Sequence, residues 1–425
     1  MSVEFFLQLT INGLLLAAFY TAVTLGFATI WGVMRLINLA HGEFLLMGAF
    51  TGWFFFNPQR EQSLTISSND TTPVVIAIGA LIVGMFLAES GLLRSRLAHR
   101  WQRRLAGTVI ASAVGIAGYL VWRNADFQDI DITMLALIGV GLALTVGFLL
   151  SRFVLRSYVK NSLSRTTIGY GLGVGVVAVG VAIWQAGNFP PIDPFLALPL
   201  VFLLFFGIGY ALQKGLLNRI VDGPYLTMLL VTFAISIMLQ NLGLAIYAAD
   251  PRRINVDYGP AIRLTESLTV PPNKLLISFV SIGMALGLSL FLRRTRLGYA
   301  IRAAAQNKMA ARLMGIDVRE TYALTFGISL ALTAAAGAMM GTFQPITPVT
   351  GPPWTLRAFA IVALGGLGSV RGVIAGSLVL GLVESYIGGY ANVGWAIAAT
   401  FVILVIALIL RPQGITGGLR PVEEV

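Results

Sequence analysis

The chain has no cysteine, two histidines and little charge. Without cysteine there are no disulfides and no thiolate chemistry. His41 and His99 are too few to build a histidine-rich metal centre, so neither a metal nor a cofactor is expected. Charged residues make up 11% of 425 positions, whereas an average soluble chain carries roughly 25%. No histidine–carboxylate grouping marks an intramembrane enzyme. The segment "GGLGSVRG" resembles a phosphate loop only superficially: a Walker A loop needs Gly-Lys-Ser/Thr, and none of the four lysines follows a glycine. The chain is therefore expected to be no enzyme, with any ATP hydrolysis on separate subunits. The opening "MSVEFFLQLTINGLLL" lacks the basic region of a cleavable leader and reads as the approach to a first span.

Apolar sequence is abundant: 57% of residues are hydrophobic. Runs long enough to cross a hydrocarbon core, about 20 helical residues, recur along the chain. Their continuity implies helices, since barrel strands alternate every second residue. The expected fold is an all-α polytopic bundle of about thirteen spans, near 8–34, 38–56, 73–93, 105–122, 133–155, 167–185, 195–217, 225–249, 274–293, 322–343, 355–370, 372–388 and 394–411. With the N-terminus outside and the C-terminus cytoplasmic, most of the 29 basic residues fall in inner loops. The net charge of +11 is then a positive-inside bias, with the lipid bilayer as partner and no nucleic acid. The outer connectors "NPQREQSLTISSNDTTP", "NADFQDIDI" and "QPITPVTGPPW" are short.

Some spans carry unusual residues. Glycines four apart, as at Gly337 and Gly341, Gly372 and Gly376, and the run from Gly169 to Gly175, let helix backbones approach closely. Gly365, Gly366 and Gly368 are placed to break the 355–370 span, which a membrane tolerates only where protein or a cavity covers the freed backbone. "INLAHGEF" puts Asn38, His41 and Glu43 at the inner end of the first two spans. Asn38 reads as a helix cap with His41 and Glu43 in the headgroup zone, or the three belong to a transport path or gate. Glu384 lies in the outer half of a span, either a functional group by default or an interfacial one beside Tyr386. Neither it nor Glu89 has an evident partner in the sequence.

The polar stretch "RRTRLGYAIRAAAQNKMAARLMGIDVRETYAL" interrupts this pattern. Asn307 caps a short helix from Lys308 to Met314, Gly315 supplies a left-handed stop, and Asp317 with Glu320 forms a capping box that launches the next span. Met309, Leu313 and Ile316 share one side. Ala310 and Ala311 leave the other side low in profile, rimmed by Arg302, Lys308 and Arg312. From the residues alone, this helix either docks into another protein or lies on lipid headgroups.

"NGLLLAAFYTAVTLGFATIWGVMRLINLAHGEFLLMGAF" resembles the opening of the LivH-type permease family of branched-chain amino-acid ABC importers. "RTRLGYAIRAAAQNKMAARLMGIDV", "ALTF", "IVALGGLGSVRGVIAGSLVLGLVES" and "RPQGITG" resemble its second half in order and spacing. The likeness covers roughly residues 10 to 56 and 212 to 425. It implies an inner-membrane permease subunit that pairs with a second, LivM-like permease, is driven by two cytoplasmic ABC ATPase subunits and receives substrate from an extracytoplasmic binding protein. It also implies that "AARLMG" is the ATPase-contact segment, with Lys308, Met309, Ala310, Ala311, Arg312, Leu313 and Gly315 as coupling residues. Amino acids are the expected substrates, with urea or an amide as an alternative and a self-sufficient secondary transporter or channel as a different class. The chain departs from the family by four extra spans. Residues 1–56 then form the first part of the core and 57–193 an inserted transmembrane region. Residues 194–425 form the remainder, with the coupling loop at 294–321. The segment "QKGLLNRIVDGP" also diverges from the family, leaving its contacts open.

Overall fold

In the computed structural model, residues 3–56, 192–266, 268–366, 368–410 and 414–416 are described. The four inserted spans and the Gly169–Gly175 run lie outside them. The expected spans within the described residues each fall on a helix: α1 Val3–Met34, α2 His41–Phe56, α3 Pro194–Gly215, α4 Tyr225–Tyr247 and α5 Pro272–Arg294. After α6 Arg296–Gln306 and α7 Lys308–Leu313 come α8 Val318–Met340, α9 Gly351–Gly365, α10 Val370–Tyr390 and α11 Val393–Leu410. A two-stranded antiparallel ladder, β1 Ile262–Arg263 and β2 Thr269–Val270, pairs Ile262 with Val270. It is pinned to α1 by Gln8, whose amide bonds both the N–H and the carbonyl of Thr269 at 2.9 Å.

Six helices, α1, α3, α4, α5, α8 and α10, are long and apolar enough to cross a membrane, so the described residues form a polytopic membrane helix bundle. α8 is its axis: nearly every residue from Val318 to Met340 is buried, against α3, α2 and α1. Its small residues make this possible. Gly337 meets the backbone of Leu45 and Ala49 on α2, with no room for a side chain between them. By contrast, α4 and α5 present apolar side chains outward, among them Phe233, Ile237, Phe279 and Leu286.

α2 and α9 span only part of the bundle. Their 16 and 15 residues give roughly 24 and 22 Å of helix, short of the ~30 Å of a hydrocarbon core. α2 does not start level with the end of α1. Residues 35–40 turn back from Met34, and His41 opens the helix beside Val23 and Phe27, roughly 16 Å back along α1. α9 likewise starts in the interior, where Trp354 packs on Phe19 and Tyr20. It ends at Gly365, after which Gly366 and Gly368 take φ of 107° and 81°, so the expected glycine break is present. The outer connector "QPITPVTGPPW" is corrected: Ile346, Gly351 and Trp354 are buried, and its last residues are the first turn of α9.

A long helix, a return segment, a short helix starting in the interior and another long helix occur twice, as α1–α2–α3 and α8–α9–α10. The two runs point in opposite directions. Gly26 of α1 lies against Ser329 and Thr333 of α8, and the last turn of α1 meets the first turn of α8 through Val33, Val318 and Tyr322. The third helix of each run packs on the first helix of the other, α3 on α8 and α10 on α1. Such inverted repeats are a common plan of transporter folds.

Candidate functional site

The two short helices meet N-terminus to N-terminus. The Gly42 N–H donates to Thr355 Oγ1 at 2.8 Å, and a Cβ on Gly42 would strike the Gly351 carbonyl. Non-helical backbone at this depth must be covered, and it is. Asn38 Oδ1 accepts the Ala40 N–H at 3.2 Å, Thr232 Oγ1 accepts the Leu39 N–H at 3.4 Å, and the Thr355 hydroxyl donates to the Leu39 carbonyl at 3.3 Å. Asn38 therefore does act at the entrance of α2, through the residue before it. His41 and Glu43 are corrected: both have zero exposure and lie inside the bundle, not in the headgroup zone. His41 Nε2 donates to the Val23 carbonyl at 2.9 Å. Glu43 turns the other way, accepting from Ser236 of α4 at 3.2 Å and lying against Gly351. The sequence brought these three together by proximity; Ser236, Thr355 and Gly351 come from far along the chain and carried no local signal.

Glu384 does have a partner. Arg357 of α9 donates to it from Nε at 3.2 Å, and Thr400 of α11 donates at 2.5 Å. The Tyr20 hydroxyl of α1 donates to its other oxygen. Glu384 is 7% exposed, so it is part of the interior rather than interfacial. An arginine inside "TLRAFAIVALGG" was the signal for this pair.

At the end where α1 terminates, α6 and α7 cover the bundle. α7 is bounded as its sequence dictates: Asn307 Oδ1 accepts the Ala310 N–H at 2.9 Å, Gly315 has φ of 80°, and Asp317 accepts the Glu320 N–H at 3.1 Å. The Glu320 carboxylate reaches across to α3, where the Tyr210 hydroxyl donates at 2.9 Å and Lys214 at 3.2 Å. The small-residue side of α7 is divided instead of forming one docking face. Ala311 is turned inward with Val33, Ile301, Ala304 and Val318, while Ala310, Met309, Leu313 and Met314 point outward, the last three 64%, 81% and 82% exposed.

The divergent segment after α3 turns out to brace this helix. Asp222 forms ion pairs with Lys308, with Arg312 at 3.7 Å and with Arg319 at 3.6 Å. Hydrogen bonding from the Lys308 ammonium holds its carboxyl below the usual carboxylate range; slight burial opposes this, and the charges of Lys308, Arg312 and Arg319 add to it. Asn218 Nδ2 also donates to the Arg319 carbonyl at 3.1 Å. At the same end, residues 414–416 cap α9: the Ile415 and Thr416 N–H groups donate to the Leu364 and Gly365 carbonyls at 2.9 and 3.1 Å, satisfying acceptors a helix end leaves free. Among the described residues no cluster of His, Asp or Glu is suited to a metal.

Comparison with known proteins agrees with this architecture. The family described as "Branched-chain amino acid transport system / permease component" matches residues 9–410. The chain is 31% identical to the high-affinity branched-chain amino acid transport system permease protein LivH of Escherichia coli K12, over 51% of this chain and 71% of that protein. It is 28% identical to the BraD permease of Pseudomonas aeruginosa, over 60% and 84%, and 30% identical to a probable LivH of Methanocaldococcus jannaschii, over 53% and 75%. No solved structure matches. With the family model covering nearly the whole chain and its two halves folded as inverted repeats around buried half-helices, the chain belongs to the permease-component family of branched-chain amino-acid transport systems.

Proposed function

We propose that this chain is the transmembrane permease subunit of an ABC importer for branched-chain or other amino acids, moving substrate by ATP-driven alternating access. A second, LivM-like permease, two cytoplasmic ATPase subunits and an extracytoplasmic binding protein complete the assembly. The N-terminus lies outside and the C-terminus in the cytoplasm. Arg35, Lys214, Arg219, Arg293, Arg294, Arg302, Arg312 and Arg371 gather at the α7 end of the bundle, in support of that orientation. Thirteen spans, with 57–193 as an insertion of about four between the two parts of the core, complete this reading.

The single observation that carries it is the outer face of α7. Met309, Leu313 and Met314 stand exposed on a helix that is capped at both ends and clamped through Asp222. Each such side chain is worth about 1.5–3 kcal/mol when fully buried, which is enough to drive docking. Ala311 anchors the helix from below, Lys308 and Arg312 hold it to Asp222, and Gly315 lets the chain turn into α8. ATPase closure then moves α7, and α8 carries that motion into the repeats.

The Arg357–Glu384 pair is the observation that would favour a self-sufficient secondary transporter. Its carboxylate is saturated by Tyr20 and Thr400, which suits a structural lock better than an exchangeable ion site.

Met309→Asp with Leu313→Asp replaces apolar docking groups by charges without touching the inward face. This variant should insert normally yet retain less than a tenth of the ATPase that co-purifies with the wild-type chain. Undiminished co-purification would refute α7 as the coupling helix.

A further inference from the structure

We propose that Glu43 is an intramembrane positioning residue of the transport cycle, whose carboxylate joins the N-termini of both half-helices to α4 at the point about which the two repeats turn. This rests on the transporter reading above and extends it to a residue that touches neither ATPase nor the α7 clamp.

Three observations converge. Glu43 is fully buried, in the first turn of α2, where the positive end of a helix favours an anion. Its carboxylate also lies directly against Gly351, so closely that a Cβ there would overlap it. Gly351 opens α9, a helix that begins with no side-chain cap and whose Pro352 and Pro353 have no N–H to offer. Glu43 thus brings from another helix a carboxyl group to a helix start that has no cap of its own. Finally, Ser236 of α4 donates to Oε1 at 3.2 Å, while Oε2 has no hydrogen-bond partner although it is buried.

An unsatisfied carboxylate oxygen in the interior is costly. It is tolerable in one state of a moving protein if another state provides its donor. The geometry supplies the means. α2 belongs to one repeat, α9 to the other, and α4 carries an exposed apolar face outward from the same junction. When one repeat rocks against the other, the contact between Gly42 and Gly351 is where the two half-helix N-termini meet, and the Glu43 carboxyl bridges them to α4 at that junction.

The test uses the complete complex in liposomes with its ATPases, partner permease and binding protein, measuring uptake and ATP hydrolysis separately. Glu43→Gln keeps shape and the Ser236 hydrogen bond but removes the charge. It should assemble normally, hydrolyse ATP at a basal rate within twofold of wild type, and lose at least tenfold in uptake per ATP, with Glu43→Asp recovering part of it. Gly351→Ala should lower thermal stability in the wild-type background and have a much smaller effect in a Glu43→Ala background, because the overlapping group is gone. Should Glu43→Gln fail to insert, Ser236→Ala is read in its place, and uptake per ATP should fall at least threefold. Uptake per ATP within twofold of wild type in Glu43→Gln, or in Ser236→Ala where that is the readable variant, overturns the proposal. So does an additive effect of Gly351→Ala. A wild-type complex showing no ATP-driven uptake would instead overturn the transporter reading itself.

Discussion

Glu384 receives hydrogen bonds from three helices other than its own: Tyr20 on α1, Arg357 on α9 and Thr400 on α11. Arg357 in turn stacks over Trp354 at 4.9 Å, so the guanidinium is held by an ion pair on one side and a ring on the other. Breaking a buried pair by removing one partner leaves an uncompensated charge and costs about 3–5 kcal/mol, whereas replacing both by apolar groups of similar size is often near neutral. Arg357→Ala should therefore lower the thermal unfolding temperature of the detergent-solubilised protein markedly, and Arg357→Met with Glu384→Leu should recover most of the loss. A single variant melting like wild type would mean that the pair contributes no stability. Glu384 was visible in the sequence as an ionisable residue inside a span. Its partner was not matched to it because Arg357 sits 27 positions earlier on another helix, and nothing in the local pattern ties the two together.

At the scale of the element, α7 separates what a sequence can dictate from what packing decides. Its bounds were legible because caps are local: Asn307, Gly315 and Asp317 each act within three or four residues. Its orientation was not. Six residues are under two turns, and which side faces the bundle depends on what fits beneath. Here it is the small Ala311 that packs among Val33, Ile301 and Val318, while the larger Met309 and Leu313 face outward. The half-helices show the same division. The glycines after Gly365 announced an end to α9, but "TGPPW" reads as a turn unless one knows that Glu43, some three hundred residues earlier, meets it in the interior. Gly315 gives a direct test at this scale. With φ at 80° it is left-handed, so Gly315→Val imposes strain of about 1–3 kcal/mol, while Gly315→Asn enters that region readily. Uptake should be lost in the first variant and largely kept in the second. Equal loss in both would mean that the open space beside Gly315, not its backbone angle, is what matters.

On the scale of the whole molecule, the inverted repeats bear on the proposal that residues 57–193 are an insertion between two parts of one core. In the second repeat the step from α9 to α10 takes residues 366–369; in the first, the equivalent step from α2 to α3 contains 57–191. The described residues on either side of that segment lie side by side, with the Ile192 N–H donating to the Phe55 carbonyl at 3.0 Å. Nothing in the described core needs it to close the backbone. Next to its return point, α3 and α5 form with α8 a lateral cavity of about 730 Å³ whose walls include Phe202, Phe206, Met284, Leu288 and Leu332. Lipid chains are as apolar as such a wall, so lipid can cover it without stranding a polar group. A chain in which residues 57–191 are replaced by a flexible linker of about four to six residues, a common length for such connections, should therefore insert, keep α7 competent to bind ATPase, and retain at least a third of wild-type uptake. The measurement is co-purification of the ATPase followed by uptake in liposomes. Degradation or aggregation of the shortened chain would mean that the segment is part of the folding core, and that the resemblance between the two repeats' turns misleads. Retained ATPase binding with abolished uptake would be a different result: it would assign the segment to the transport path itself.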